Sequence, residues 1–521
     1  MRPASALLLA CLCVGASLPA QTTKPAAKAA TKSVDRYAIR PDEKVAWHDV
    51  RATDLEGRAF PDAERKSYFD RLPAEADGKV TPAVWGLSRD SAGLMFRFRT
   101  DATTIYAHYK VTKPQLAMPH MPATGVSGLD LYARDKDGKW RWVQVARPGA
   151  QEMKLRLAEN LDAGEREYAI YLPLYNGVEF LHVGVPEGKQ FVGLKPRAKP
   201  VVFYGTSITH GACASRPGMV HTGILGRRFD VPVVNLGFSG NGRMDKEVGD
   251  FLVRIEAAAF VIDCLPNMSG KEVALKCVPL VKQLRAARPG AQEMKIRLAD
   301  GLDAGEREYA LYLPLFNGVE FLHVGVPEGK QLTGLKPRAK PVVFYGTSIT
   351  HGACATRPGM VHTGILGRRF DVPVVNLGFS GNGRMDKEVG DFLVRIDAAA
   401  YVIDCLPNMG PMDVTAKCGP LVKQLRAARP DTPIILVEDR RNTDSWLKAS
   451  LRKHHDDNHA ALKAAYEQLV KEGVQGLSYV PGDHLYGDDA DGATDGSHAS
   501  DLGFFRQADI FEPFLKAALG R

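Results

Sequence analysis

Across residues 94–145 the chain alternates apolar with polar positions in short runs broken by Gly, Pro and Asp. Leu94-Met95-Phe96-Arg97-Phe98-Arg99-Thr100, Thr104-Ile105-Tyr106-Ala107-His108-Tyr109-Lys110 and Trp140-Arg141-Trp142-Val143-Gln144-Val145 each fit a half-buried strand. Strands at this spacing predict an antiparallel β-sandwich over residues 37–199. Further on the pattern changes. Pro341-Val342-Val343-Phe344-Tyr345, Pro373-Val374-Val375-Asn376-Leu377, Ala400-Tyr401-Val402-Ile403-Asp404-Cys405 and Pro433-Ile434-Ile435-Leu436-Val437-Glu438 are continuous apolar runs. Amphipathic helices are expected between them, for example over 414–429 and 458–472. Continuous rather than alternating runs predict parallel strands covered on both faces, hence an α/β domain over 341–521.

The two patterns are tied together by a long repeat. The run that starts at Arg147 returns at Arg288, an offset of 141 (288 − 147), and the match continues to Ala428. Each copy opens on strand-like sequence, such as Glu167-Tyr168-Ala169-Ile170-Tyr171-Leu172, and enters the α/β pattern at Val201 or Val342. The unit is therefore the end of one domain plus the start of the next. The expected organisation is a sandwich (37–199), a partial α/β domain (200–287), a duplicated partial sandwich (288–340) and a complete α/β domain (341–521). The tripeptide Ala-Arg-Pro at 146–148 and again at 428–430 suggests unequal crossover, and removing one copy would leave about 380 residues (521 − 141) for two domains. The last sandwich strands occur twice, at 154–186 and 295–327, and only one set can fill the native slots. One set of strands and one half-sheet should then be left with uncovered edges, which invite association.

Composition narrows the class. With 45% hydrophobic and 25% charged residues the chain is ordinary globular protein. Its net charge of +8 is scattered among acids with no basic stripe, which argues against nucleic-acid binding. Arg2, the apolar stretch 4–18 and small residues near Ala20 predict an export signal over 1–20, hence a secreted or periplasmic protein. An alternative reads Leu8-Leu9-Ala10-Cys11 as a lipoprotein box anchored through Cys11. No other stretch reaches the ~18 apolar residues of a membrane span. The Thr, Lys, Ala and Pro bias of 21–36 predicts a linker. Cys11 and Cys13 leave with the signal. The remaining six (Cys213, Cys264, Cys277, Cys354, Cys405 and Cys418) sit at matched places in the repeat, too sparse for a disulfide scaffold, and their pairing stays open.

Gly346-Thr347-Ser348-Ile349-Thr350 follows the first apolar strand of the α/β domain, at the carboxyl end where open parallel sheets bind ligands. A serine hydroxyl needs a base to remove its proton and a third group to orient that base. Asp495-Gly496-Ser497-His498 offers both on one short loop. The G-x-S-x-G elbow of α/β-hydrolases is absent, because Thr350 stands two residues after Ser348. Asn376-Leu377-Gly378-Phe379-Ser380-Gly381 and Asp404-Cys405-Leu406-Pro407-Asn408 end the next two strands, where N–H or amide donors can face an oxyanion.

These blocks, in this order, resemble the SGNH/GDSL hydrolase superfamily. Gly-Thr-Ser resembles its first block, Ser380-Gly381 its second, Asn408 its third, and Asp495 with His498 its last. Thr347 replaces the usual Asp before the serine, and Pro407 stands where Gly is common. Gly128-Leu129-Asp130-Leu131-Tyr132 is similar to the Gly-x-Asp-Leu-Tyr signature of an N-terminal domain on one esterase branch. The resemblance implies a three-layer α/β/α, flavodoxin-like parallel sheet. It also implies Ser348, Asp495 and His498 as triad, an oxyanion hole from Ser348 N–H, Gly381 N–H and the Asn408 side chain, and no metal or cofactor. It further implies short acyl esters, often acetyl on carbohydrate, whether on a small molecule or a polysaccharide. A lipid or general carboxylesterase is the alternative, and a non-catalytic carbohydrate-binding protein is a further one.

Several residues carry two readings. Ser207, Gly240 and Asn267 repeat Ser348, Gly381 and Asn408, but no Asp-x-x-His follows before the second copy begins. They form either a second active site or a truncated, inactive copy, depending on which half-sheet residues 431–521 complete. His351 and His210, three residues after the serines, are rival bases or pocket-shaping residues. His454, His455, Asp456, Asp457 and His459 read as a metal cluster or as a solvated helix start capped by Asp457 or Asn458. The acidic run 488–492 reads as a calcium loop without its late Glu, or as a flexible turn into Asp495.

Overall fold

Alternating aromatic and β-branched residues build the N-terminal strands in the computed structural model, which describes residues 38–287, 310–319, 322, 333, 336, 338 and 340–521. The expected signal (1–20, with Cys11 and Cys13), the linker (21–36) and most of the second set of sandwich strands lie outside the described residues. Nine strands make two antiparallel sheets. They are β1 (Val45–Asp49), β2 (Met95–Thr100), β3 (Ile105–Val111), β4 (Asp130–Arg134), β5 (Trp140–Val145), β6 (Glu152–Ala158), β7 (Arg166–Tyr171), β8 (Val178–Pro186) and β9 (Phe191–Gly193). Their orders are β1-β8-β3-β6 and β5-β4-β7-β2-β9, with short helices α1 (Pro82–Ser88) and α2 (Ala123–Val126) in the connections. Ile105, Ala107, Tyr109 and Val111 of β3 are buried while His108 and Lys110 are only partly covered, the period-2 signature of a sheet face on a core.

The first copy of the repeat continues as β10 (Val201–Gly205), α3 (Ser207–His210), α4 (His221–Phe229), β11 (Val233–Gly237), α5 (Lys246–Leu252), β12 (Ala259–Asp263) and α6 (Gly270–Ala287). Its parallel sheet has the order β11-β10-β12. The second copy gives β13 (Val342–Gly346), α7 (Ser348–His351), α8 (His362–Phe370), β14 (Val374–Gly378), α9 (Lys387–Leu393), β15 (Ala400–Asp404) and α10 (Pro411–Ala428). Beyond the repeat come β16 (Ile434–Val437), α11 (Ala449–Lys471), β17 (Leu477–Val480) and α12 (Asp501–Ala518). The five strands run parallel in the order β14-β13-β15-β16-β17. Every residue of β13, β15 and β16 is buried, as two-sided coverage by helices requires. Numbered within the domain this order is 2-1-3-4-5, whose reversal at the first strand opens a crevice at the carboxyl ends of β13 and β15.

The two copies share one register. Val201 pairs with Val233 as Val342 pairs with Val374. They differ in surroundings. Strands β6, β7 and β8 come from the first copy, so that set fills the sandwich sheets. In the described part of the second set, Leu311 and Phe316 are exposed, whereas their counterparts Ile170 and Tyr175 are buried. The first set follows β5 directly and closes the shorter loops. Residues 431–521 complete the second half-sheet, and among the described residues β12 has no strand on its outer side.

The histidine-rich stretch corrects an expectation. Helix α11 begins at Ala449, so Asp457 and Asn458 lie inside it and cap nothing. His455, Asn458 and His459 are buried. His455 Nε2 accepts the Asn442 N–H (3.1 Å), His459 Nε2 lies 2.7 Å from the Asp439 carbonyl, and the Asn458 amide donates to the Met409 carbonyl (3.0 Å). Polar side chains at helical spacing with Leu462 form the buried stripe, and so the apolar pattern underestimated the helix.

Candidate active site

Ser348 stands at the start of α7, immediately beyond β13. Thr347 caps the turn, its hydroxyl accepting the Ile349 N–H. Gly346 is required by close approach, since a Cβ there would lie 2.1 Å from Thr350 Oγ1 and 2.8 Å from the Asp404 carbonyl. That space lets Thr350 Oγ1 donate to Asp404 Oδ2 (2.9 Å), joining the ends of β13 and β15 beneath the serine. Arg440, fully buried, donates to the same Oδ2 (2.9 Å) and to Gln507 Oε1 (2.9 Å) of α12. The platform under Ser348 is thus a hydrogen-bonded ion pair rather than an isolated charge.

Asp495 and His498 arrive on the loop between β17 and α12. Asp495 Oδ1 accepts the N–H groups of Ser497 (3.1 Å) and His498 (2.7 Å), and Oδ2 faces His498 Nδ1 at 2.9 Å. The Asp-x-x-His spacing is the one at which a single carboxylate can hold both the backbone and the ring of the same histidine. His498 Nε2 then lies 2.9 Å from Ser348 Oγ. Burial pushes the Asp495 carboxyl up, but the hydrogen bonds and charge of His498, with the charge of Arg147, outweigh it and hold the group well below the usual range. Arg147, in the loop after β5, donates to Asp495 Oδ2 at 2.9 Å.

Gly381 occupies a left-handed turn (φ +73°) after β14, with open space where a Cβ would be. Asn408 ends the 3-10 turn that follows β15. With its amide oxygen accepting from Gly383 N–H (3.3 Å) and Asn382 N–H (3.2 Å), its NH2 group is left as a donor. Ser348, Gly381 and Asn408 thus end β13, β14 and β15 at the crevice.

Ser207, Gly240 and Asn267 reproduce this frame in the first copy. Gly240 has φ +72°, and the Asn267 amide oxygen accepts from Gly242 and Asn241 N–H, both at 3.2 Å. Among the described residues, no histidine hydrogen-bonds Ser207. His210 and His351 face away from the serines: their Nε2 atoms lie 2.7 and 2.6 Å from the carbonyls of Leu174 and Leu315, and their rings stack on Tyr175 and Phe316.

The acidic run before Asp495 is anchored rather than a flexible turn. Asp489 forms a two-pronged pair with Arg506 at 2.7 Å on each oxygen. Asp491, buried, accepts from Tyr132 (2.9 Å), Arg216 (3.3 Å) and Arg227 (2.9 Å). Local sequence gave no sign of these partners, which lie more than 250 positions away. One group of metal-ligating type occurs among the described residues: Cys354, Asp495 and His498 have ligand atoms within 4.8 Å of one another. The Arg147 guanidinium on the same carboxylate weighs against a cation there. The six described cysteines are all free thiols. No helix among the described residues is long and apolar enough to cross a membrane.

A family model described as GDSL-like Lipase/Acylhydrolase family matches residues 198–297 and 339–516, more than half of the chain. A second, described as the N-terminus of Esterase SGNH hydro-type, matches 45–191 and 281–332. No curated protein matches the chain. Among solved structures, a protein described as a GDSL-like lipase from Bacteroides ovatus is 23% identical, covers 92% of this chain and 98% of its own, and has a TM-score of 0.35. A family two carbohydrate esterase from Clostridium thermocellum, in complex with cellohexaose, is 11% identical over 83% of this chain and 96% of its own, with a TM-score of 0.30. A carbohydrate acetylesterase family member from Sinorhizobium meliloti is 17% identical over 35% of this chain and 100% of its own, with a TM-score of 0.26. Likenesses this distant carry no substrate assignment.

Proposed function

Because the chain belongs to the GDSL-like lipase/acylhydrolase family and is a serine ester hydrolase, we propose that Ser348 is its nucleophile, His498 its base and Asp495 the orienting acid. Ser348 Oγ attacks the ester carbonyl as its proton passes to His498 Nε2. The N–H groups of Ser348 and Gly381 and the Asn408 amide receive the oxyanion. Collapse expels the alcohol, which takes the proton from His498. Water, deprotonated by the same imidazole, then releases the acid and frees the serine. The observation that carries this reading is the 2.9 Å approach of His498 Nε2 to Ser348 Oγ, with Asp495 behind the ring. Fluorophosphonate labelling tests it. Ser348→Ala should abolish labelling and ester hydrolysis, and Ser207→Ala should leave both intact. Persistent labelling of folded Ser348→Ala protein would falsify the assignment.

For substrate, the N-terminal signature around Asp130 and the export signal over 1–20 support a secreted or periplasmic enzyme acting on short esters, acetyl groups on carbohydrate foremost. A lipid or general carboxylesterase reading draws on exposed Phe379 and Met412, which lie in sequence beside Gly381 and Asn408. A rate that falls steadily from acetyl to longer acyl chains on one alcohol supports the first reading. A maximum at octanoyl or beyond supports the second.

A further inference from the structure

The loop that carries Asp495 and His498 is held by arginines of the other copy. Arg216 has no exposed surface. Its Nη1 donates to Asp130 Oδ2 (3.1 Å), its Nη2 to Asp491 Oδ1 (3.3 Å) and its Nε to the Ala493 carbonyl (3.3 Å), and its guanidinium lies 5.0 Å from the centre of the Trp142 ring. Arg227 donates to Asp491 Oδ2 (2.9 Å) and to the Gly218 carbonyl (2.8 Å), 3.9 Å from the centre of the Tyr132 ring. Asp130 and Tyr132, two positions apart on β4, point to one face of the sheet, and Tyr132 also donates to Asp491 (2.9 Å). Asp491 precedes Asp495 by four residues. The Ala493 carbonyl lies midway between them, and a Cβ on Gly496 would touch the Trp142 ring (3.2 Å). The corresponding arginines of the second copy, Arg357 and Arg368, are exposed. The chain thus draws its serine from one copy and the supports of its histidine loop from the other.

We infer that Arg216 and Arg227 are positioning residues for the triad, so that the first half-domain serves catalysis at Ser348 without using Ser207. A serine–histidine approach must hold to within a fraction of an ångström for proton transfer, and a buried carboxylate with three donors fixes the loop that sets it. The inference rests on the Ser348 assignment.

Steady-state kinetics on p-nitrophenyl acetate with the full chain tests it. Arg227→Met and the milder Tyr132→Phe are expected to lower kcat about tenfold or more, with KM and melting temperature little changed. Arg227→Lys should recover most of the loss, and Arg368→Met, the same substitution in the other copy, should match the parent. Unchanged kcat in Tyr132→Phe and folded Arg227→Met, or a loss that follows Arg368 instead, would overturn the inference. If Arg227→Met does not fold, Tyr132→Phe and Arg227→Lys decide. Failure of the Ser348 assignment shows separately, as labelling that survives Ser348→Ala.

Discussion

Val261 and Val402 are the same residue in two copies of one sequence, yet 38% of Val261 is exposed and 1% of Val402. The difference is β16, which pairs with β15 and has no counterpart beside β12 among the described residues. Unpaired edge amides exchange with solvent through smaller openings than amides of a central strand. In hydrogen exchange, peptides covering 259–263 should therefore take up deuterium faster than those covering 400–404. Phe260 against Tyr401 distinguishes the two by mass. Equal protection would mean that β12 is covered in solution.

Removing the donor of Asn408 should cost the barrier ~3 kcal/mol, a fall of about 10²–10³ in kcat with little change in KM. Asn267→Ala should leave activity as it is. Kinetics of the two alanine variants on one substrate measure both effects.

Arg440→Met should destabilise the second α/β domain by about 3–5 kcal/mol in urea unfolding, because it strips Asp404 of its only cation while leaving the carboxylate buried. Replacing both partners, in Arg440→Met with Asp404→Leu, should recover part of that loss. Thr350 is then left without its acceptor, so activity should stay low even where stability returns.

His362 is buried against Phe344 and Phe504, and neither ring nitrogen has a hydrogen-bond partner. Burial, with some help from the Arg440 charge, lowers its pKa from 6.5 to about 3. Below about 6.5 the unfolded chain takes up a proton that the native imidazole refuses, so stability falls as pH falls through the window from 6.5 towards 3. Between about pH 7 and 4.5 this group should account for roughly 2–3 kcal/mol of lost stability. His362→Leu should flatten that limb when denaturation midpoints are compared at the two pH values.

Much of this was legible in the chain. The alternation in Trp140–Val145 marks a strand because one face meets the core, and the continuous run before Gly346 marks a covered parallel strand. Ser348, Gly381 and Asn408 were legible as a group because each ends a strand, so their order along the chain maps onto one crevice. Choosing between Ser348 and Ser207 was not possible from local blocks, which are identical. What distinguishes them is which half-sheet the last ninety or so residues complete. Arg147, Arg216 and Arg227 left no sequence signal, because their partners Asp495 and Asp491 are far away in the chain and arginines are common on surfaces. The stripe of α11 was misjudged for another reason: His455, Asn458 and His459 are buried by hydrogen bonding, not by apolarity.

The pairing of Asp491 with Arg216 rather than Arg357 also has an evolutionary meaning. In a chain without the repeat, one half-domain must keep both the serine and the two arginines. Here the requirements are divided: change at Ser207 is free where change at Arg216 is not, and the reverse holds for Arg357 and Ser348. Each copy is open to drift at the sites the other has retained. Once both have drifted, neither copy can be lost, and an accident of recombination has become an obligatory part of the gene.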